Sequence, residues 1–116
     1  MFNLNDSLRY WLYSEPTDMR KNFFSLSGIV TNKMEKEVRS GDVFIFLNRT
    51  RTRIKLLHME PGGLVLYSKM LDGGTFNRPI GKENGRMSWS DLVMMVEGIV
   101  ENPTYRRKRL RTLRDG

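Results

Sequence analysis

Cysteine is absent from the chain. Disulfides are therefore excluded, as are zinc and iron–sulfur centres built on thiolates. Histidine occurs once, at His58, so no histidine-rich metal site can be assembled. No apolar run approaches the roughly 20 residues a membrane-crossing helix requires. The opening MFNLNDSLRYW lacks the basic-then-apolar order of a secretory leader, and a cytoplasmic protein without membrane contact is the expectation. There is no glycine-rich phosphate loop of the Walker type, since Gly62-Gly63 and Gly73-Gly74 read as turn glycines. The acids stand mostly singly, at caps and turns: Asp18, Asp42, Asp72 and Asp91. Glu35 and Glu37 are close in sequence but sit in a charged, exposed-looking segment. Two-metal phosphoryl transfer needs converging carboxylates, and a triad needs a histidine oriented between an acid and a nucleophile. His58, at a strand end beside a turn, reads as half-exposed and structural. The expectation is a protein that is not an enzyme, with no catalytic residue, metal or cofactor.

What the chain has in excess is positive charge. Its 116 residues suffice for one domain, and the formal net charge is +7. Much of that sits at the end: Arg106, Arg107, Lys108, Arg109, Arg111 and Arg114 face only Asp115, which leaves the first 103 residues close to neutral. The expected organisation is a folded domain over residues 1–103 and a flexible basic tail over 104–116. Such a tail suits nucleic acid or an acidic partner; its plainer reading is a solvated end.

Periodicity gives the elements. Leu8–Tyr13 is short and aromatic and reads as a strand, stopped by Pro16. Thr17 is positioned to cap a helix with Asp18 in its first turn. Met19, Phe23, Leu26 and Val30, with Phe24 and Ile29, then predict an amphipathic helix of about 15 residues. Val43–Leu47, VFIFL, is apolar throughout and predicts a strand covered on both faces. Ile54–Met59 and Leu64–Met70 follow as strands around the turn Glu60-Pro61-Gly62-Gly63. Thr75–Asn77 offers a short fourth pairing, and 78–86 reads as a loop. Ser88 and Asp91 resemble a capping box opening a second helix, with Trp89, Leu92, Val93, Val96 and Ile99 or Val100 as its buried stripe and Gly98 and Pro103 as its end. Trp11, Trp89 and the adjacent Met94 and Met95 read as core. The order implies α+β architecture: a single domain with a small antiparallel sheet of four to five strands and two helices packed on it.

The remaining signal is the stretch Asn48–Lys55, NRTRTRIK, with a cation at every second position. Arg53 and Lys55 share one strand face. Arg49 and Arg51 fall in the turn, where strand geometry does not orient them, yet all four can converge near one hairpin end. Arg20 and Lys21 begin a helix packed on the same sheet, and Lys69 lies on the third of these strands. Arginine forks match phosphate oxygens, and displaced counterions favour association. The competing reading is an exposed strand face whose cations discourage edge pairing. No base-reading motif is visible.

Several segments in register carry a family resemblance. They are Thr17-Asp18-Met19-Arg20-Lys21 with Phe23; Gly41-Asp42-Val43-Phe44 leading to Phe46 and Asn48-Arg49; Arg53-Ile54-Lys55-Leu56-Leu57; Gly63-Leu64-Val65-Leu66-Tyr67 with Lys69; and Leu92–Ile99 with Glu97-Gly98. Over residues 8–100 the chain resembles the TnpB-type accessory protein of bacterial insertion sequence sixty-six elements, which is unrelated to the RNA-guided nuclease of the same name. It departs from that pattern at Met70, at His58-Met59 and at Arg78, and the tail lies outside it. The resemblance implies a non-catalytic accessory factor in DNA transposition of a mobile element, encoded beside a separate transposase. The expected partners are that transposase and DNA, held through sequence-independent phosphate contacts. The candidate contact residues are Arg20, Lys21, Arg49, Arg51, Arg53, Lys55 and Lys69, with Arg106, Arg107, Lys108 and Arg109 in the tail. The alternative is a protein–protein adaptor for the transposase that never touches DNA.

Overall fold

A computed structural model of the chain describes residues 4–77 and 85–97. Five strands form one mixed sheet in the order β4-β3-β2-β1-β5. The strands are β1 (Tyr10–Leu12), β2 (Val43–Leu47), β3 (Arg53–Glu60), β4 (Gly63–Met70) and β5 (Arg86–Met87), and the helices are α1 (Phe23–Asn32) and α2 (Trp89–Glu97). β2, β3 and β4 form an antiparallel meander, and β5 is antiparallel to β1. β1 runs parallel to β2 and reaches it through the α1 crossover, so the sheet is mostly antiparallel.

The apolar run VFIFL is the middle strand, and all five of its residues are buried. Alternation along it divides the core in two. Phe44 and Phe46 join Leu57, Met19 and the α1 residues Leu26 and Val30. Val43, Ile45 and Leu47 join Ile54, Leu56, Phe76 and the α2 residues Leu92, Met95 and Val96. The two helices therefore cover opposite faces of the sheet. Met95 fills the core while its neighbour Met94 is exposed. Trp89 packs at an angle on Tyr10, ring centres 5.8 Å apart.

The α2 start is built as its sequence suggests. The Ser88 hydroxyl accepts the Asp91 N–H at 3.0 Å, and the Asp91 carboxylate accepts the Ser88 N–H at 3.1 Å. The expected end of this helix, Ile99 or Val100 with Gly98 and Pro103, lies outside the described residues.

The first helix differs from expectation. It begins at Phe23, and Thr17 does not cap it. The reason lies in where the backbone groups of 17–22 go. The Thr17 N–H donates to the Leu47 carbonyl at 2.8 Å, and the Asp18 carboxylate accepts the Arg20 N–H at 2.9 Å. The Lys55 ammonium donates to the Met19 and Lys21 carbonyls, at 2.8 and 2.6 Å. Those carbonyls are thus engaged by a side chain instead of by a following helical turn. The Asn22 N–H donates to the Ser25 hydroxyl, and the Asn22 carbonyl accepts the Leu26 N–H, which starts the helix there. One consequence is that Phe23 and Phe24, expected in the buried stripe, are 43% and 94% exposed.

Two further differences concern short pairings. β5 lies where the sequence suggested the end of a loop, and the pairing expected at Thr75–Asn77 is a single bridge at Thr75, beside which the Phe76 N–H donates to the Arg51 carbonyl at 2.7 Å. Gly85 explains the close approach of β5. Its φ is +74°, and a Cβ there would collide with the Leu12 carbonyl, so only glycine can start this strand.

Replacing Lys55 by methionine keeps the stem packed but leaves two carbonyls without their charged donor. Hydrogen bonds to charged groups contribute about 1.5–3 kcal/mol each, so Lys55→Met is expected to lower unfolding free energy by about 2–3 kcal/mol in urea titration. An unchanged midpoint would show that the 17–22 segment does not depend on this ammonium.

Candidate nucleic-acid interface

The β2–β3 loop, residues 48–52, is shaped by Asn48. Its side-chain oxygen accepts the N–H groups of Thr52 and Arg53 at 2.9 and 3.0 Å, and its carbonyl accepts the Arg51 N–H at 3.1 Å. Arg51 sits in the left-handed region with φ +56°. Arg49 is exposed, whereas Arg51 and Arg53 are half-buried. The Lys55–Lys21 hydrogen bond draws the 17–22 segment to this end of the sheet, bringing the exposed Lys21 with it. Arg53 pairs with Met70 and Ile54 with Lys69, so Lys69 is at this end too.

The seven candidate cations of the folded body therefore gather at one end of the sheet but do not form one face. Lys55 is 8% exposed, and its ammonium is held by two carbonyls. Arg20 is bonded to Asp18, with Nη2 at 2.6 Å from Oδ2 and Nε near 3 Å from both oxygens. Lys69 projects with Tyr67 to the α2 face, opposite Arg53. Lys21, Arg49, Arg51, Arg53 and Lys69 form no salt bridge among the described residues, although the charge of Lys21 adds to that of Arg20 in lowering the Asp18 pKa. Arg53 Nε is moreover buried without an acceptor. Arg106, Arg107, Lys108 and Arg109 lie outside the described residues.

His58, expected half-exposed, is 8% exposed; it faces the α2 side, and its Nδ1 has no partner. Its neighbours across the strands are Val43 and Val65, so it is a core residue of the sheet.

A second cationic cluster was not visible in the sequence. Trp11 carries the Lys36 ammonium 3.8 Å from its ring centre and the Arg86 guanidinium carbon 5.2 Å away. Its indole N–H donates to Asp42 Oδ2 at 2.9 Å, while Arg9 Nε donates to Oδ1 at 2.9 Å. A groove of about 490 Å³ lies here, lined in part by Trp11, Tyr13, Lys33, Met34 and Lys36. Only the unforeseen strand β5 places Arg86 across from Trp11. Among the described residues no three or more histidines and carboxylates are grouped to hold a metal, and no helix is long and apolar enough to cross a membrane.

The sequence profile described as "IS66 Orf2 like protein" matches residues 8–106. The chain belongs to the IS66 Orf2-like family. That places it with accessory proteins of insertion-sequence transposition. Two relatives come from Sinorhizobium fredii (strain NBRC 101917 / NGR234). The protein y4hO is 30% identical over 101 residues, covering 85% of this chain and 87% of y4hO. The protein y4jC is 25% identical over 100 residues, covering 85% of this chain and 86% of y4jC. Neither name specifies an activity. No solved structure matches the chain.

The Arg20 guanidinium holds the Asp18 carboxyl well below the usual carboxylate range, and Asp18 raises the Arg20 pKa in return. A carboxylate with a depressed folded-state pKa stabilises the fold above its unfolded value and loses that contribution as pH falls through the folded one. Both groups are exposed, so the gain is small. In an NMR pH titration Asp18 is expected to remain ionised below the midpoints of the other resolved carboxylates. In Arg20→Gln its midpoint should rise towards the ordinary value near 4.

Proposed function

We propose that this member of the IS66 Orf2-like family is a non-catalytic accessory factor that contacts DNA phosphates through the loop end of its sheet. The observation that carries this reading is the gathering of Lys21, Arg49, Arg51, Arg53 and Lys69 at that end with no salt bridge to a carboxylate among the described residues. Free guanidinium and ammonium groups at one end of a rigid scaffold match the spaced anions of a nucleic-acid backbone. Lys55 has a different job in this reading: it holds Lys21 in place. Arg20 contributes less than its neighbours because Asp18 offsets its charge. The tail cations Arg106, Arg107, Lys108 and Arg109 add affinity independent of sequence.

The element's transposase is the second partner. Phe24 supports a protein contact, because an aromatic ring 94% exposed in the first helical turn is an apolar anchor beside the basic end. The alternative reading keeps this contact alone and makes the protein an adaptor whose cations meet an acidic face of the transposase.

Gel-shift titration across salt tests the DNA contact. About six neutralised phosphates give a slope near −5 in log affinity against log salt. Replacing Arg49, Arg51 and Arg53 together by alanine is expected to reduce that slope by about 3. Lys55→Met is expected to reduce it by at most about 1, the share of the Lys21 contact that it positions, if the fold persists. Absence of binding at low salt removes the DNA contact. A transposase complex that survives nuclease, is lost in Phe24→Ser and ignores the arginine substitutions leaves the adaptor reading.

A further inference from the structure

The sheet ends on one side in β4, an eight-residue strand, GLVLYSKM, which pairs only with β3 among the described strands. Natural edge strands are commonly blunted by shortness, proline, a bulge or several charges. The opposite edge, β5, is two residues long. β4 has none of these devices: it contains no proline, and Lys69 is its sole charge. Val65 is 43% exposed and Met70 70% exposed.

The direction of its free backbone groups follows from the hairpin. The two-residue loop Pro61-Gly62, with Gly62 at φ +97°, makes Glu60 and Gly63 the closing hydrogen-bonded pair. Alternation then turns the odd-numbered residues of β4 towards β3 and the even-numbered ones outward. The printed bond at the far end agrees, since the Leu71 N–H donates inward to the Thr52 carbonyl at 2.8 Å. The N–H and C=O groups of Leu64, Leu66, Ser68 and Met70 therefore point away from the sheet.

We propose that this edge is a self-association surface, on which β4 pairs antiparallel with β4 of a second copy about a two-fold axis at Tyr67. A two-fold axis normal to the sheet keeps each strand's faces on the same side, so facing residues must have numbers of the same parity. Centring on Tyr67 sets Leu64 against Met70 and Leu66 against Ser68, which engages all four outward-pointing residues. Between them Tyr67 meets Tyr67 and Val65 meets Lys69. The exposed Met70 gains an apolar neighbour, two tyrosines meet as a cross-strand aromatic pair, and the single charge never faces its own copy. The strand is thus complementary to itself, and this selects a second copy as its occupant. The pairing continues the sheet across both copies and leaves the basic loop ends on opposite sides of the axis, an arrangement suited to two separated stretches of backbone phosphate. That last step rests on the function proposed above; the pairing itself does not.

Sedimentation equilibrium of the full chain is expected to give about twice the 13.6 kDa of one copy. Ser68→Pro removes an outward N–H that β3 does not use, so it is expected to preserve the parent circular dichroism while returning the mass to one copy. Because the chain has no cysteine, any disulfide formed by a single introduced cysteine is intermolecular. Tyr67→Cys brings two sulfurs together at the axis and is expected to yield a disulfide dimer. In Val65→Cys the two positions are separated by four residues of strand, roughly 13 Å, and little should form. A single-copy mass at ~100 µM overturns the proposal, as does a dimer that persists in folded Ser68→Pro. Should Ser68→Pro fail to fold, the cysteine pair decides: cross-linking at position 65 but not 67 overturns it. Loss of DNA binding with the dimer intact bears on the proposed function alone.

Discussion

The geometry of the basic end depends on one buried ammonium. Lys55 stands on a strand between apolar neighbours, on the face covered by α1, and reaches the Met19 and Lys21 carbonyls of a segment more than thirty residues earlier. A buried cation is tolerated only where hydrogen-bond acceptors replace the water it loses. Here the acceptors are carbonyls that an α-helix would otherwise use internally. A single contact therefore ends one structural possibility, a longer first helix, and fixes another, a loop laid along the end of the sheet. It also explains why Phe23 and Phe24 leave the core stripe and why Lys21 comes to lie beside the β2–β3 loop.

Much of the architecture was legible because local pattern and tertiary environment agree. VFIFL reads as a doubly covered strand and lies mid-sheet between both helices. The Pro61-Gly62 turn and the Ser88–Asp91 cap follow directly from residue chemistry. The failures came where a long-range partner overrides local preference. Thr17 and Asp18 carry a good helix-start signal, but Leu47, Arg20 and Lys55 engage the groups involved. β5 is two residues long, too short for any periodicity, and exists because β1 offers it an edge and Gly85 permits the approach. The parallel β1–β2 pair likewise reflects the α1 crossover and leaves no sign in the residues of either strand.

The cations of the candidate site were visible in the sequence, and their individual surroundings less so. The alternating cations of NRTRTRIK were expected to be able to converge near one hairpin end, and they lie at that end without sharing one face. Asn48 curls the loop, Lys55 turns inward, and Lys69 goes to the other side of the sheet. Spacing of two tells which side of a strand a residue occupies; it does not tell which side is covered by a helix. The Trp11–Lys36–Arg86 cluster shows the converse. Three residues far apart in sequence meet around an indole because the fold brings a crossover segment and a late strand to the same ring.

The position of β1 has a consequence for how the chain can be assembled during synthesis. It is the fourth strand in the sheet yet the first to leave the ribosome, and its outer neighbour β5 comes some seventy-five residues later. The β2–β3–β4 meander needs only near-sequence contacts and can close early, with α1 on one face. Until Arg86 and Met87 emerge, the outer side of β1 has no strand beside it. Until α2 follows, the apolar face formed by Val43, Ile45, Leu47, Ile54 and Leu56 lacks its helix cover. A growing chain of this kind passes through a half-covered intermediate, so truncation ahead of residue 86 exposes the side of the sheet that the finished protein keeps dry.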